Sequence, residues 1–260
     1  MKNFRQNIFN TEALVVRINN FGESDRLINL ITPKNGLVRG IAKGAKKQNS
    51  RIGGHIDLLK FIKLSVKTNK TLCTFNQAET LNSFNGFKNN LSRMSRGIYM
   101  GEIAEKFSVE WGENINLFNL LVQSLGFLEK TSDYELITRW YEIQMLRISG
   151  FAPELNICVE SGKKINPGDH LFSSDKGGII DISSKPTDGN PLLPAPINTI
   201  KLLKFISNNH WDTVYKVKVD NKTLDSTKRI LKDYLRYTIG NSPKSEYFMD
   251  EIIQKEKNRL

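Results

Sequence analysis

Lys43, Lys46, Lys47 and Arg51 fall within nine positions of one another, among Gly44, Gly53 and Gly54. Cations so spaced, on a loop whose glycines give the backbone freedom to turn, can follow a sugar-phosphate track, and backbone amides can join them on the phosphates. Arg17, Arg26 and Arg39 come from the flanking segments and Lys34 from a turn, which extends the same chemistry. Phe21, Phe61 and Phe75 are stacking platforms for bases if they face outward, although the usual place of a lone phenylalanine is the core. If four phosphates are neutralised, single-strand affinity falls with salt with a log-log slope of about −3. The expected polyanion-binding set is therefore Arg17, Arg26, Lys34, Arg39, Lys43, Lys46, Lys47 and Arg51.

Chemistry that breaks bonds is harder to find. No GxxxxGK[ST] occurs, and the nearest string, Ser161-Gly162-Lys163-Lys164, lacks the preceding glycine and the strand-loop-helix context of a phosphate cradle. Glu23 and Asp25 sit two apart in a turn beside Arg26, where a local hydrogen-bonding or ion-pair role is the expectation and a Mg²⁺ nuclease site the rival. His55, His170 and His210 form no recognisable triad with a nucleophile and a carboxylate. No catalytic residue is expected, and the chain reads as a binding protein rather than an enzyme.

The elements that must position the cations follow from periodicity. Residues 1–80 hold 14 Lys and Arg against 5 Asp and Glu, so +9 of the total charge of +11 lies there. Such a one-signed field attracts polyanions. The same region alternates β-rich runs, 13–18, 27–32, 37–42, 58–66 and 71–78, with turn residues at 19–22, 33–36 and 68–70. Five short strands fit a small closed barrel of the oligonucleotide-binding type. From about residue 84 the spacing becomes helical, with stripes through Leu91, Met94, Ile98, Ile103 and Phe107, then 115–128 and 136–148. The aromatic residues among these, Trp111 included, are read as core or interface material, with a ligand pocket the minor reading. Residues 150–196 break into glycine, proline and serine as an irregular insert, after which 197–208 and 222–239 resume helical spacing. On the last segment Lys228, Lys232 and Arg236 form a ridge read as a solvated face.

The class is thus α+β, with a barrel over 1–82 and a helical domain over 83–260 interrupted by an insert at 151–194. The start lacks the apolar stretch of a signal peptide, and nowhere do about 18 apolar residues run together. With only Cys73 and Cys158, there is no disulfide framework, so a soluble cytoplasmic protein with no membrane partner is expected.

Thr11-Glu12-Ala13-Leu14-Val15, Gly22-Glu23-Ser24-Asp25-Arg26-Leu27, the run from Gly36 to Ala45, and Ser50-Arg51 resemble the amino-terminal signature of the RecO family. Gly150 to Leu155, Phe172, Gly177-Gly178 and Lys244-Ser245 are similar to later family positions. The resemblance implies an oligonucleotide-binding barrel, a helical domain and a zinc-ribbon-like insert in a nucleoid-associated bacterial protein. It further implies binding of single- and double-stranded DNA, and annealing of complementary strands without ATP. The implied partners are RecR, the acidic tail of single-strand-binding protein, in many bacteria RecF, and indirectly RecA, which is loaded on coated strands in DNA repair.

One departure concerns the insert, where many relatives carry two CxxC pairs and this chain has Cys158, Ser161, Asp181 and Ser184 at the matching positions. Neutral serines are poor zinc ligands, so no metal and no cofactor are expected. A substitute set of Cys158, Asp169, His170 and Asp181 is the alternative; without metal, Ile157, Phe172, Ile179 and Ile180 must hold the insert. The rival functions are an RNA-binding barrel protein and a protein-only adaptor whose basic loop meets acidic tails.

Overall fold

In a computed structural model of the chain, residues 7–87, 89–184 and 191–257 are described. They divide into two compact units, one comprising the chain up to Lys130 together with the part from Ser245 onward, the other Thr131–Lys244.

The first unit begins with β1 (Ile8–Phe21), β2 (Asp25–Thr32), β3 (Gly36–Ala42), β4 (Phe61–Lys67) and β5 (Cys73–Asn82). They close into a barrel in the order β1-β2-β3-β5-β4. All neighbours are antiparallel except β3 and β5, whose parallel pairing is confined to Gly40 with Cys73 and Ile41 with Thr74. Period-two alternation sends Ala13, Val15, Ile28, Leu30 and Val38 inward to a common core with Phe75. The residues between them are also buried on β1 and β2, as Leu14 and Ile31 show, and this is why both strands read as continuous apolar runs. The strands lie close to where the β-rich runs put them, except that the one expected from Leu58 begins at Phe61 because Leu58 and Leu59 lie in a turn, and the first turn is displaced. Asn19 and Asn20 stay in β1, paired with Leu27 and Arg26, and the chain turns at Gly22.

Two helices follow, α1 (Leu91–Phe107) and α2 (Ile115–Lys130). The side chain of Asn90 caps α1 by accepting from the Arg93 amide at 2.8 Å. Of the apolar stripe expected on α1, only Ile103 is fully buried. Leu91 is exposed and Met94 and Ile98 are half-buried, while Ser95, Gly97 and Gly101 are buried. A Cβ on Gly97 would stand 2.7 Å from Leu59, so the helix approaches the barrel on its small residues, and spacing of large ones misreads that contact.

In the second unit, α3 (Tyr134–Ile148) is capped by Asp133, which accepts from Leu136. Three short strands, β6 (His170–Ser173), β7 (Gly178–Ile180) and β8 (Leu193–Ala195), form a sheet in the order β7-β6-β8. Strands of three or four residues carry too few alternations to be read, so the stretch taken as irregular holds a sheet. Residues 185–190 of the insert lie outside the described residues. Then come α4 (Ile197–Asn208), the single turn α5 (Trp211–Val214) and α6 (Asn221–Ile239), which ends at Gly240 with φ +84°. On the α6 ridge, Arg236 donates to the Ser242 hydroxyl at 2.7 Å. Finally α7 (Lys244–Lys257) rejoins the first unit, where the Glu102 carboxylate accepts from the Ser245 amide at 2.8 Å and hydroxyl at 2.6 Å.

Within the insert Phe172, Ile179 and Ile180 are buried as expected, and Phe172 meets Tyr234 edge-on. Ile157 is 45% exposed and does not share that packing. The Cys158 sulfur accepts from the amides of Ser161 at 3.5 Å and Asp181 at 3.2 Å. Burial alone would push its thiol up, but the Ser161 side chain and the Asp181 and Ser161 amides outweigh it, so the value lies below the ordinary one. Asp169 accepts from Ile197 at the start of α4, and Asp181 from both the amide and hydroxyl of Ser183. His170 Nδ1 stands 3.9 Å from Asp181. Neither the four matching positions nor the substitute set presents the converging thiolates and imidazoles that structural zinc takes. Among the described residues no group of three or more His, Cys, Asp or Glu is placed to hold a metal.

Candidate nucleic-acid interface

The connection from β3 to β4 caps one end of the barrel. Ala45, Ile52 and Ile56, exposed by no more than 7%, enter the barrel core from it. The backbone is tied down along its length. Lys46 donates to the Ser24 carbonyl at 2.9 Å, Lys47 to Gly44 at 3.0 Å, Ser50 to Lys47 at 3.0 Å, and the Ile56 amide to Ile52 at 3.2 Å. Gly53 is required by close approach, since a Cβ there would lie 2.2 Å from the Ala45 carbonyl oxygen. The loop is therefore a fixed scaffold, and the backbone freedom inferred from its glycines serves to build the cap rather than to keep it mobile.

Asp25 is the acid that organises this cap. Its carboxylate accepts from the Gly44 amide at 2.8 Å and the Ser24 hydroxyl at 3.1 Å. The Gly44 bond, then Ser24 and the nearby Lys43 and Lys47 charges, hold its carboxyl below the ordinary value. Arg26 donates to the Ile56 carbonyl at 2.8 Å, so it stitches β2 to the cap. His55 Nδ1 lies 2.9 Å from the Thr80 hydroxyl, and Lys60 donates to the Gly54 carbonyl at 2.7 Å.

Lys43, Lys46, Lys47 and Arg51 are all exposed on this scaffold. Among the described residues none of the four is in contact with a carboxylate. Lys34 is exposed too, in the turn between β2 and β3.

Arg17 and Arg39 are differently placed. Arg17 on β1, Asn29 on β2 and Arg39 on β3 are direct cross-strand partners and form a row on the outer barrel face. Glu105, from the last turn of α1, accepts from Arg17 Nε at 3.0 Å and from Asn29 at 2.6 Å. Glu110 meets Arg39 at 2.8 Å. Glu110 belongs to the segment 108–114 between α1 and α2, which runs over β3 as a strap. Leu37 donates to the Val109 carbonyl and Asn114 to the Pro33 carbonyl, each at 3.1 Å. Gly36, with φ +55°, lets the strap pass: a Cβ there would be 2.3 Å from the Gly112 oxygen. A cleft of about 640 Å³ opens along the row.

The proposed stacking platforms are divided. Phe75 is 2% exposed in the barrel core and is no platform, because its ring fills the space left by Gly40. Phe61 is half-buried, edge-on to Phe118 with centroids 5.9 Å apart. Phe21 is 47% exposed at the tip of β1. Trp111, read as core or interface material, is 46% exposed on the strap. Its signal in the sequence is a tryptophan next to Gly112 between two helical periods, where a linker rather than a core stripe runs. Asn29, Glu105 and Glu110 carried no signal, since partners 76 and 88 residues apart meet only in the fold.

Residues 6–84 match the family model described as Recombination protein O N terminal, and residues 88–246 the one described as Recombination protein O C terminal. Among curated relatives, the chain is similar to a DNA repair protein RecO of Dehalococcoides mccartyi strain BAV1, 31% identical over 244 residues that cover 94% of this chain and 96% of the relative. The RecO of Bacillus pumilus is 29% identical, covering 96% of each chain. That of Roseiflexus strain RS-1 is 28% identical, covering 96% of this chain and 88% of the relative. Among the described residues no helix is long and apolar enough to cross a membrane.

Proposed function

The chain belongs to the RecO family, and from that premise we propose that it is a DNA-binding recombination mediator of DNA repair. It binds single- and double-stranded DNA through the cap, with Lys43, Lys46, Lys47 and Arg51 on the phosphates, and Lys34 in the turn at the other end of β3 adds a further contact. Arg26 acts by holding the cap, and Arg17 and Arg39 contribute once their carboxylates give way. The observation that supports this reading is the set of four exposed cations, none of them in ion-pair contact with a carboxylate, on a loop anchored in the barrel core. A rigid presentation spares the entropy of ordering long basic side chains' backbone at each encounter.

Cations that neutralise both strands lower the repulsion between them and leave the bases to select their partners, so annealing needs no ATP. With RecR, and with the acidic tail of single-strand-binding protein held by the chain, the same contacts help RecA onto coated strands. The work in this reading is binding, not bond-making, and sequence preference is weak because phosphates carry no sequence information.

Replacing Lys43, Lys46, Lys47 and Arg51 together by alanine tests it. Binding falls for all sequences alike, and the log-log salt slope flattens by about 3. Unchanged affinity in the variant would remove the site from the cap. An intact variant that binds RNA far more tightly than DNA of equal length would replace the substrate.

A further inference from the structure

Leu59, Phe84 and Trp111 are the non-glycine residues with positive φ among those described, at +63°, +42° and +60°. Leu59 and Phe84 bury their side chains to 2% exposure, so packing offsets the backbone strain. Trp111 keeps nearly half its surface in solvent. A bulky side chain held in a disfavoured conformation without the return of burial points to a functional constraint. The strap fixes it there through the Val109 and Pro33 carbonyls, and Phe9 supports the indole from its edge, centroids 6.3 Å apart at 68°.

Beside this indole lies a cleft of about 240 Å³, walled by β3 and by the connection from β4 to β5. Arg39, Lys70 and Thr71 line it together with Glu110. Lys70 is exposed, and the Arg39–Glu110 pair is half-exposed on both sides, at 49% each. A pair so exposed holds weakly, and a phosphate can take the place of Glu110 on Arg39.

We propose that this cleft is a slot for an unpaired nucleobase of single-stranded DNA, stacked on Trp111, with the flanking phosphates on Lys70 and Arg39. The inference rests on the reading of the chain as a DNA-binding protein and deepens it. The cap attracts any phosphate backbone, single or double. The slot accepts only a base that has left its stack, because a paired base presents no free face to an indole. Single-strand preference thus resides on the strap, at a distance in sequence from the basic loop.

Tryptophan fluorescence of the full chain tests the slot directly. Trp140 and Trp211 are 2% and 4% exposed, so Trp111 supplies the accessible signal among the three tryptophans. Short oligothymidylate is expected to quench it, and duplex of the same length to leave it unchanged. Trp111→Ala lowers single-strand affinity about five-fold or more, the lower end of base-aromatic stacking, and leaves duplex affinity unaltered. Trp111→Phe restores most of the single-strand affinity. Equal affinities for both forms in Trp111→Ala and the intact chain, with fluorescence unmoved by oligothymidylate, would overturn the slot while DNA binding by the cap stands. An equal loss for single strands and duplex would overturn it as well. An intact chain that binds neither form would overturn the slot and the function together.

Discussion

Lys43, Lys46, Lys47 and Arg51 on the cap and Arg17 and Arg39 on the outer barrel face belong to one barrel, yet only the second pair meets carboxylates. The cap is held by apolar side chains and backbone hydrogen bonds, with Asp25 spent mainly on an amide and a hydroxyl. Its cations are left over for a partner. On the outer barrel face Arg17 is engaged by Glu105 of α1 and Arg39 by Glu110 of the strap, so both arginines already have a partner within the chain. Charge counted along a sequence therefore overstates charge available to a ligand, and the material that anchors a loop decides the difference.

The comparison breaks most severely if the cap is detached from the core. Ile56→Ala removes a side chain that is 1% exposed in the barrel, and a loss of about 2–5 kcal/mol is expected in denaturant unfolding. Stability equal to that of the intact chain would mean that the cap merely rests on the barrel. A smaller effect should sharpen the contrast from the other side. Glu110→Gln weakens the hold on Arg39, and if the arginine then meets a phosphate, DNA affinity rises and the salt slope steepens by about 0.7. The same measurement on the cap variant gives the opposite change, and parallel behaviour of the two would erase the distinction drawn here. The smallest effect concerns acid. Because the folded-state value of Asp25 is depressed, its contribution is complete above the ordinary carboxyl value of 3.8 and is lost as pH falls through the lower folded value. Amide exchange at Gly44 and Lys46 followed by NMR should quicken below that pH while β4 remains protected. Exchange that stays constant would take Asp25 out of the cap.

Much of this was legible in the residues. The β-rich runs bounded by turn residues specify the strands because both signals are local, and the basic cluster at 43–51 is a property of composition. The helix stripe on α1 was misread because Gly97 and Gly101 allow a close approach that no count of large residues reveals. The small sheet of β6, β7 and β8 escaped because its strands are shorter than one readable period. Residue type alone leaves Trp111 as core or interface material, and the strap places it at the surface.

By itself the sequence determined the five strands, the sign and place of the charge, and the kinship with RecO, since each is carried by neighbouring residues. Which cations are free was decided only by the tertiary structure. Arg17 and Arg39 reach Glu105 and Glu110 across 88 and 71 residues of chain, and contacts that distant arise from barrel closure and helix packing, where no local pattern records them.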